Sequence, residues 1–136
     1  MKILFLNKDY ILRAISMKEV IEEDEKAFVI TSDKNANIPL RTNVDIKKYK
    51  GQALYMPGYI PEEEISGQKI ISIYPENINK NLPSAPSTMI LLDAQTGFVK
   101  AIIDGTILTR LRTGAMSGVA SKYLSRKDSK IFLLIG

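Results

Sequence analysis

Apolar residues along the chain alternate between helical spacing and short β-branched runs, a pattern that predicts a mixed α/β domain. Helices are predicted where apolar positions recur every three or four residues: a short one over 9–15, a long one after Ser16 and a third from Thr106. Ser16 and Glu19 have the spacing of a capping box, and Thr106 is expected to cap the third helix. The acidic run 22–26 is interpreted as a solvated helix face.

Short runs rich in apolar and β-branched residues, bounded by Gly, Pro or polar turns, predict the strands of a sheet with mixed or antiparallel pairing. The predicted strands are 2–6, 38–44, 53–56, 69–74, 88–92 and 98–103. Pro57-Gly58 is expected to end the third of them, and 76–86 is expected to be a loop. Residues 93–97 have the pattern of a five-residue hairpin loop that ends in Gly.

The helix predicted from Thr106 carries an unusual number of small residues, including Gly114 and Gly118. A glycine inside a helix costs about 1 kcal/mol relative to alanine. Two of them four positions apart therefore indicate that something comes very close to this face. Either another helix or strand packs tightly there, or a ligand lies on it.

Composition narrows the chemistry that the chain can perform. The 136 residues are 45% hydrophobic and 25% charged, which is enough for one ordinary globular core. Cysteine and histidine are both absent from the sequence. Disulfides, thiolate or imidazole metal sites, cysteine nucleophiles and Ser-His-Asp triads are thereby excluded, and no metal site is predicted. Any chemistry must use carboxylates, Lys, Arg, hydroxyls, backbone amides or a cofactor.

The net charge of +4 is unevenly distributed along the chain. Residues 99–136 hold 7 Lys/Arg and 2 Asp/Glu, whereas residues 1–98 hold 12 and 13. These cations are scattered and are not interleaved with aromatic residues, so the pattern does not favour nucleic-acid binding. No apolar stretch reaches the roughly 18–20 residues of a membrane span, and no signal-peptide core is recognisable at the N-terminus. We expect a cytoplasmic protein without membrane or nucleic-acid partners.

The C-terminal residues 130–135 are nearly all apolar, which is typical of a central parallel strand buried on both faces. Gly136 follows directly, as in the opening of the dinucleotide fingerprint G-x-G-x-x-G/A. One glycine is not a motif, but the arrangement predicts an interrupted βαβ unit. We therefore expect a first domain over 1–125, including the connecting helix 106–125, and the first strand of a second domain over 126–136.

Several motifs, in order along nearly the whole chain, resemble the ornithine cyclodeaminase/mu-crystallin family. They are Leu4-Phe5-Leu6, Ser16-Met17, Pro39-Leu40-Arg41-Thr42, the segment 69–77 (KIISIYPEN), Leu82-Pro83, the segment 91–97 (LLDAQTG), Asp104-Gly105-Thr106 and the segment 108–115 (LTRLRTGA). The last of these is the strongest. Any one of the motifs alone is a weak signal, but their joint occurrence is specific.

The resemblance implies a two-domain enzyme that uses NAD or NADP and forms a homodimer. The first domain would be of the α+β type, with a mixed or antiparallel sheet flanked by helices, and would bind an amino or imino acid. The sheets of two subunits would form a closed, barrel-like core. The second domain would be of the Rossmann type, and residues 126–136 would be its first strand. The present chain alone is then expected to be inactive and to bind no dinucleotide tightly.

The resemblance also assigns roles to particular residues. Arg41, Lys69 and Arg112 match the positions that bind the substrate α-carboxylate, and Lys69 would also support catalysis near the imine. The matching positions for cofactor contacts are Ser84, Thr113 and Gly136. The family's catalytic aspartate lies beyond this chain, so no Asp here is assigned to that role.

Three functions remain open at this point. The first is an ornithine cyclodeaminase-like conversion of ornithine to proline, with loss of ammonia through an imine. The second is an imine (ketimine) reductase or an alanine- or opine-type dehydrogenase. The third is a non-catalytic binding or dimerisation module of the mu-crystallin kind.

Overall fold

A computed structural model describes residues 2–135, which form a mixed sheet with helices against one face. The elements in chain order are β1 (Leu4–Leu6), α1 (Lys8–Ala14), α2 (Met17–Ser32), β2 (Thr42–Ile46), β3 (Gly51–Ile60), β4 (Ile65–Ile73), β5 (Ser87–Asp93), β6 (Val99–Asp104) and α3 (Gly105–Leu124). Short 3₁₀ turns occupy Lys47–Tyr49 and Pro75–Lys80. The α/β fold with helices beside a mixed sheet is therefore confirmed.

The six strands are ordered β1-β6-β5-β4-β3-β2. The first strand, β1, pairs in parallel with β6, and every other neighbouring pair is antiparallel. The predicted hairpin loop 93–97 joins β5 to β6, and the Asp93 carboxylate accepts the backbone N–H of Gln95 and of Thr96. The predicted strand at 38–44 is displaced, since the paired residues begin only at Thr42, after Pro39.

The helices begin where short polar side chains can accept the unpaired N–H groups of the first turn. The predicted capping box of Ser16 and Glu19 is formed at the start of α2. At α3 the prediction of Thr106 as cap is wrong, because Asp104 accepts the N–H groups of Thr106 and Ile107 at 2.8 and 3.2 Å. The Thr106 hydroxyl is instead bonded to the start of β5, where it accepts the Ser87 N–H at 3.0 Å.

The strand β3 continues through Pro57-Gly58, so the expectation that this dipeptide ends the strand is wrong. Pro57 pairs with Gln68 of β4. Tyr59, two residues further on, donates its N–H away from β4 to the Asn37 carbonyl. By the alternation of an antiparallel strand, the missing N–H of Pro57 lies on the same outer side, which β2 does not cover. The proline therefore removes no hydrogen bond to β4.

Helices α2 and α3 run side by side in the same direction, since Ile21 faces Gly118 and Glu25 faces Lys122. A Cβ built on Gly118 would lie 2.7 Å from Ile21 Cδ1, so the close approach predicted from this glycine is made by a helix. Glu25 accepts the Lys122 ammonium at 2.6 Å and the Tyr123 hydroxyl. The buried apolar residues of the core lie mainly between these helices and the sheet; they are Ile11, Val20, Ala53, Leu54, Ala101, Ile107, Ala115 and Val119.

The strand predicted over 130–135 is not formed in this structure. Ile131, Leu133 and Leu134 are exposed, Leu134 at 93%. A strand needs a neighbour to accept and donate its backbone hydrogen bonds, and within residues 2–135 no strand lies beside this segment. The division into a domain 1–125 and a second one from 126 stays a prediction. Gly136 lies outside the described residues.

Within residues 2–135, α3 is the helix that packs on the sheet, and the opposite sheet face carries no comparable helix. Strand register places apolar residues in adjacent rows on this open face, with polar partners such as Gln68 and Thr88 between them; the open face is defined here by Phe5, Val44, Tyr55, Ile70, Ile90 and Ile102. Phe5 is 74% exposed at its rim. Within residues 2–135, none of the helices has the length and apolar character needed to cross a membrane.

Candidate functional site

A cavity of about 360 Å³ opens between the sheet and the first turns of α3. Two adjacent cross-strand rows form its floor, and register defines them as Met89–Lys69–Met56 and Leu91–Gly67–Gly58. Leu108, Thr109 and Arg112 of α3 line the other side. We call this space the cationic cavity, because Lys69 and Arg112 both line it and its lining includes no Asp or Glu.

The glycine pair Gly58 and Gly67 creates the space beside Lys69. A Cβ on Gly58 would meet nothing closer than 4.0 Å, so a side chain missing at this position leaves open volume. At Gly67, in contrast, a side chain cannot be accommodated, because a Cβ there would overlap the Ile90 carbonyl oxygen of β5. Because β4 and β5 approach closely at Gly67, this position can hold no side chain. The floor of the cavity is therefore deeper here by the depth of one side chain.

Lys69 is half-buried in the middle of β4, where it lies opposite Met56 and Met89. Burial, and to a smaller extent the nearby Arg112 guanidinium, lower the pKa of the Lys69 ammonium below its usual value. Within residues 2–135 neither Lys69 nor Arg112 forms an ion pair. Two cations that repel each other in one cavity are the arrangement expected for an anion-binding site.

Arg112 extends from α3, one turn beyond Thr109 and on the same side of the helix. Its Nη1 lies 3.4 Å from the Met116 sulfur, a weak acceptor that leaves the other guanidinium donors free. The planar fork of such a group matches the two oxygens of a carboxylate. Arg112 can therefore bind an anion at the mouth of the cavity while Lys69 binds it from the floor.

Thr109 is a cavity-lining residue that the sequence did not single out. Its hydroxyl lies 3.4 Å from the hydroxyl of Ser87, which is 9% exposed at the start of β5. In the sequence, Thr109 is identified only as a member of the motif 108–115. Helical spacing places it there one turn before Arg112. No local signal identified Ser87 as its neighbour, because that contact joins residues 22 positions apart.

Asp24 is the second residue that was missed, since the acidic run 22–26 was interpreted as a solvated face. Its Oδ2 is buried and has no hydrogen-bond partner within the described residues. Burial raises the pKa of this carboxyl, and the charge of Arg112 opposes the rise. The signal was present in the spacing, because Asp24 follows Val20 and Ile21 by four and three residues and shares their side of α2.

The remaining predicted site residues do not line the cationic cavity. Arg41 is exposed directly before β2, and Ser84 is exposed in the segment that precedes β5, where its carbonyl accepts the Tyr74 N–H at 2.8 Å. Thr113 is exposed on α3 and donates its hydroxyl to the Thr109 carbonyl at 2.6 Å. The roles of these three residues stay predictions, as does that of Gly136, which lies outside the described residues.

The lining of the cationic cavity suits a carboxylate, because it carries two cations and no acidic side chain. Ser84 and Thr113 lie outside this lining, in the segment before β5 and on α3, and their cofactor roles stay predictions. Within residues 2–135, no group of three acidic side chains is placed to hold a metal ion.

Comparison with known proteins shows which family the chain resembles. The sequence model described as the ornithine cyclodeaminase/mu-crystallin family matches residues 1–136. Alanine dehydrogenase of Archaeoglobus fulgidus is 36% identical over 136 residues, which is all of this chain and 41% of that protein. The chain thus spans about two fifths of the length of this relative.

Solved structures show the same similarity. Δ1-Pyrroline-2-carboxylate reductase of Thermococcus litoralis, in complex with NADH and L-proline, superposes with a TM-score of 0.88 and 47% identity over 93% of this chain and 39% of that one. An archaeal alanine dehydrogenase dimer with bound NAD gives a TM-score of 0.86 and 36% identity over 95% of this chain and 39% of that one. Close structural neighbours are thus NAD(H)-bound dehydrogenases or reductases.

Proposed function

Since it is matched over residues 1–136, the chain belongs to the ornithine cyclodeaminase/mu-crystallin family, and we propose that it is the substrate-binding part of an NAD(P)-dependent enzyme acting on amino or imino acids. The observation that carries the proposal is the convergence of Lys69 and Arg112 in one cavity without an acidic partner in its lining. An α-carboxylate would supply the negative charge that the cavity lining lacks and relieve the repulsion between the two cations.

The residues of this chain would bind and orient the substrate. Arg112 would hold the carboxylate through its fork, and Lys69 would hold it from below, so that the α-carbon is fixed at the mouth of the cavity. The apolar side chains of Met56, Met89 and Leu91 would exclude water around the rest of the substrate. When bound elsewhere in the whole protein, the dinucleotide supplies the hydride acceptor or donor.

We extend the proposal for Lys69 to a supporting role beside the imine. A fixed cation on the carboxylate would hold the α-carbon in one position while the substrate is oxidised or reduced.

As the specific reaction, we propose imine reduction or amino-acid oxidation in preference to ornithine cyclisation. A distal ammonium such as that of ornithine calls for an acidic or carbonyl partner. The cavity floor instead presents Met56, Gly58, Gly67, Met89 and Leu91, which suit a small apolar or cyclic side chain. The similarity to a pyrroline-carboxylate reductase and to alanine dehydrogenases points in the same direction.

An absorbance assay on the full-length protein tests the function. We expect saturable consumption of NADH with Δ1-pyrroline-2-carboxylate, or with pyruvate and ammonia, and slower release of ammonia from L-ornithine. Faster ammonia release from ornithine would instead establish a cyclodeaminase. Absence of turnover with every one of these substrates, in protein that binds NADH, would favour the non-catalytic binding module.

We also propose that the open face forms the interface of a homodimer. Rows of apolar side chains on a sheet without a covering layer form a surface that commonly marks an interaction site. The archaeal alanine dehydrogenase that this chain resembles is a dimer. A second copy of the same face would cover Tyr55, Ile70 and Ile90 and complete a two-sheet core.

The substitution Ile90→Glu is expected to convert the protein to a monomer, because a buried, unpaired carboxylate costs several kcal/mol. We expect the dissociation constant of the dimer to rise at least about 100-fold, as light scattering over a concentration series would show. Val29→Glu makes the same change on the outer side of α2, where Val29 is 56% exposed, and should leave the dimer intact. A dimer of unchanged affinity in folded Ile90→Glu protein would rule out this interface.

A further inference from the structure

The hydroxyl of Thr109 forms its contact outside its own helix. Thr31 in α2, Thr113 in α3 and Ser125 directly after α3 instead donate to the carbonyl four residues earlier, at 2.7, 2.6 and 2.6 Å. Such a bond uses the single proton that a hydroxyl can donate. Thr109 forms no such bond to its own helix and lies against the Ser87 hydroxyl at 3.4 Å.

Ser87 is held in a fixed position beneath Thr109. Its N–H is bonded to the Thr106 hydroxyl at 3.0 Å, and the Thr106 hydroxyl also approaches the Ser87 carbonyl at 3.4 Å. Gly105 lies so close that a Cβ there would be 2.9 Å from the Ser87 carbonyl carbon. The start of β5 and the first turn of α3 are thus joined at the same place, which holds the backbone of Ser87 beside Thr109.

The two hydroxyls together have two protons to donate. Either hydroxyl can donate across the 3.4 Å contact. When Ser87 donates to Thr109 Oγ1, the Thr109 proton stays available for another acceptor. Thr109 lines the cationic cavity together with Lys69 and Arg112. A hydroxyl on a residue that lines the same cavity as two cations can serve as a donor to an anion bound there.

We propose that Thr109 is a third ligand of the substrate carboxylate, donating its hydroxyl to the group that Lys69 and Arg112 bind, and that Ser87 is the positioning residue that orients it. The proposal rests on the function proposed above, since it assigns a further contact to the same site. The two cations supply most of the attraction, whereas the hydroxyl supplies direction, because its bond depends on angle as well as distance. It would thereby fix how the carboxylate plane is rotated and which face of the α-carbon is presented.

The test measures the binding and turnover of L-proline and L-alanine by the full-length protein with its dinucleotide. Thr109→Val removes the hydroxyl and keeps the shape of the side chain, and we expect it to weaken binding of the accepted substrate about tenfold. Thr109→Ser retains the hydroxyl and should stay within about twofold of the wild-type protein. Thr31→Val, which removes a hydroxyl from the outer part of α2, is the matched control and should bind as the wild type does.

Ser87→Ala distinguishes orientation from simple structural support. Loss of the orienting hydroxyl should lower kcat more than it raises KM, because the carboxylate is still held by two cations but is rotated more freely. A variant that merely loosens the fold would instead lower the melting temperature and leave the kinetics of the folded protein unchanged. Equal kinetics of wild-type and Ser87→Ala protein would remove Ser87 from the proposal.

The outcomes separate this inference from the proposed function. If Thr109→Val binds substrate as the wild type does while Arg112→Ala loses binding, Thr109 is not a ligand and the proposed function stands. If Arg112→Ala also binds as the wild type does, the carboxylate site itself is misplaced, and both proposals fail. Tenfold weaker binding in Thr109→Val, restored in Thr109→Ser, supports both.

Discussion

Replacing Arg112 with alanine is expected to weaken binding of the substrate carboxylate by about 100-fold, which corresponds to about 2.7 kcal/mol. The guanidinium is the only group in the cavity lining that can offer two parallel N–H donors to one carboxylate. Arg112→Lys should recover only part of the loss, because an ammonium keeps the charge but not the fork. Isothermal titration calorimetry of the full-length protein with substrate measures the affinity of both variants.

Substitution of Lys69 is also expected to weaken binding of the substrate carboxylate. Lys69→Met retains a long apolar stem in the half-buried position, removes the charge, and should weaken binding by about 2 kcal/mol or roughly 30-fold. Because the pKa of Lys69 is lowered, the wild-type protein should begin to lose affinity at a pH below the usual lysine value of 10.5. Lys69→Arg stays charged and should not show this alkaline loss.

The pH dependence supplies the sharpest contrast. A bound carboxylate favours the protonated ammonium and raises its pKa, so binding takes up a proton in the pH range just above the lowered pKa of the free protein. Affinity that is flat with pH up to 10.5 in the wild type, or Arg112→Ala protein that binds normally, would show that the two cations do not form the carboxylate site.

The largest loss of stability is expected from Gly67→Ala. A Cβ at this position would overlap the Ile90 carbonyl oxygen, and backbone atoms in the centre of a sheet cannot move aside as the end of a side chain can. Overpacking of this kind costs about 3 kcal/mol. For a chain of this size the melting temperature should fall by about 10 °C, as calorimetry would measure.

Its cross-strand partner offers a matched control for the same substitution. Gly58 pairs directly with Gly67, yet a Cβ on Gly58 would have 4.0 Å to its nearest neighbours. Gly58→Ala should therefore change the melting temperature by no more than a few degrees, and part of that change can be a gain, because alanine loses less entropy than glycine on folding. Equal melting temperatures of the two variants would contradict the close approach of β4 and β5 at Gly67.

Features decided by neighbouring residues were predictable from the sequence. The capping box of Ser16 and Glu19 and the hairpin loop 93–97 depend on contacts within five positions, and both are formed as expected. Family resemblance, rather than any local pattern, brought Lys69 and Arg112 together as candidates. The structure places both in one cavity, while the roles of Arg41, Ser84 and Thr113 stay predictions.

Features decided by distant neighbours were not predictable. Pro57 is tolerated in β3 because β2 is too short to reach it, and no residue near Pro57 carries that information. Asp104 replaces Thr106 as the cap because the Thr106 hydroxyl is bonded to Ser87, 19 positions away. The apolar segment 130–135 has the composition of a strand, but composition cannot supply the neighbour that a strand needs.

The attachment of α3 at both ends has a consequence for how a ligand is received. The first turn is fixed to β5 through Ser87 and Gly105, and the last turn is fixed to α2 by the pairing of Glu25 with Lys122. Arg112 lies between these two anchors, so its backbone stands at a set distance from Lys69 before any anion arrives. Binding then pays little entropy for assembling the two cations, and more of the electrostatic attraction is retained as affinity. A preorganised pair of this kind also discriminates by length, because an anion that is too small or too large to bridge a rigid gap gains from only one of the cations.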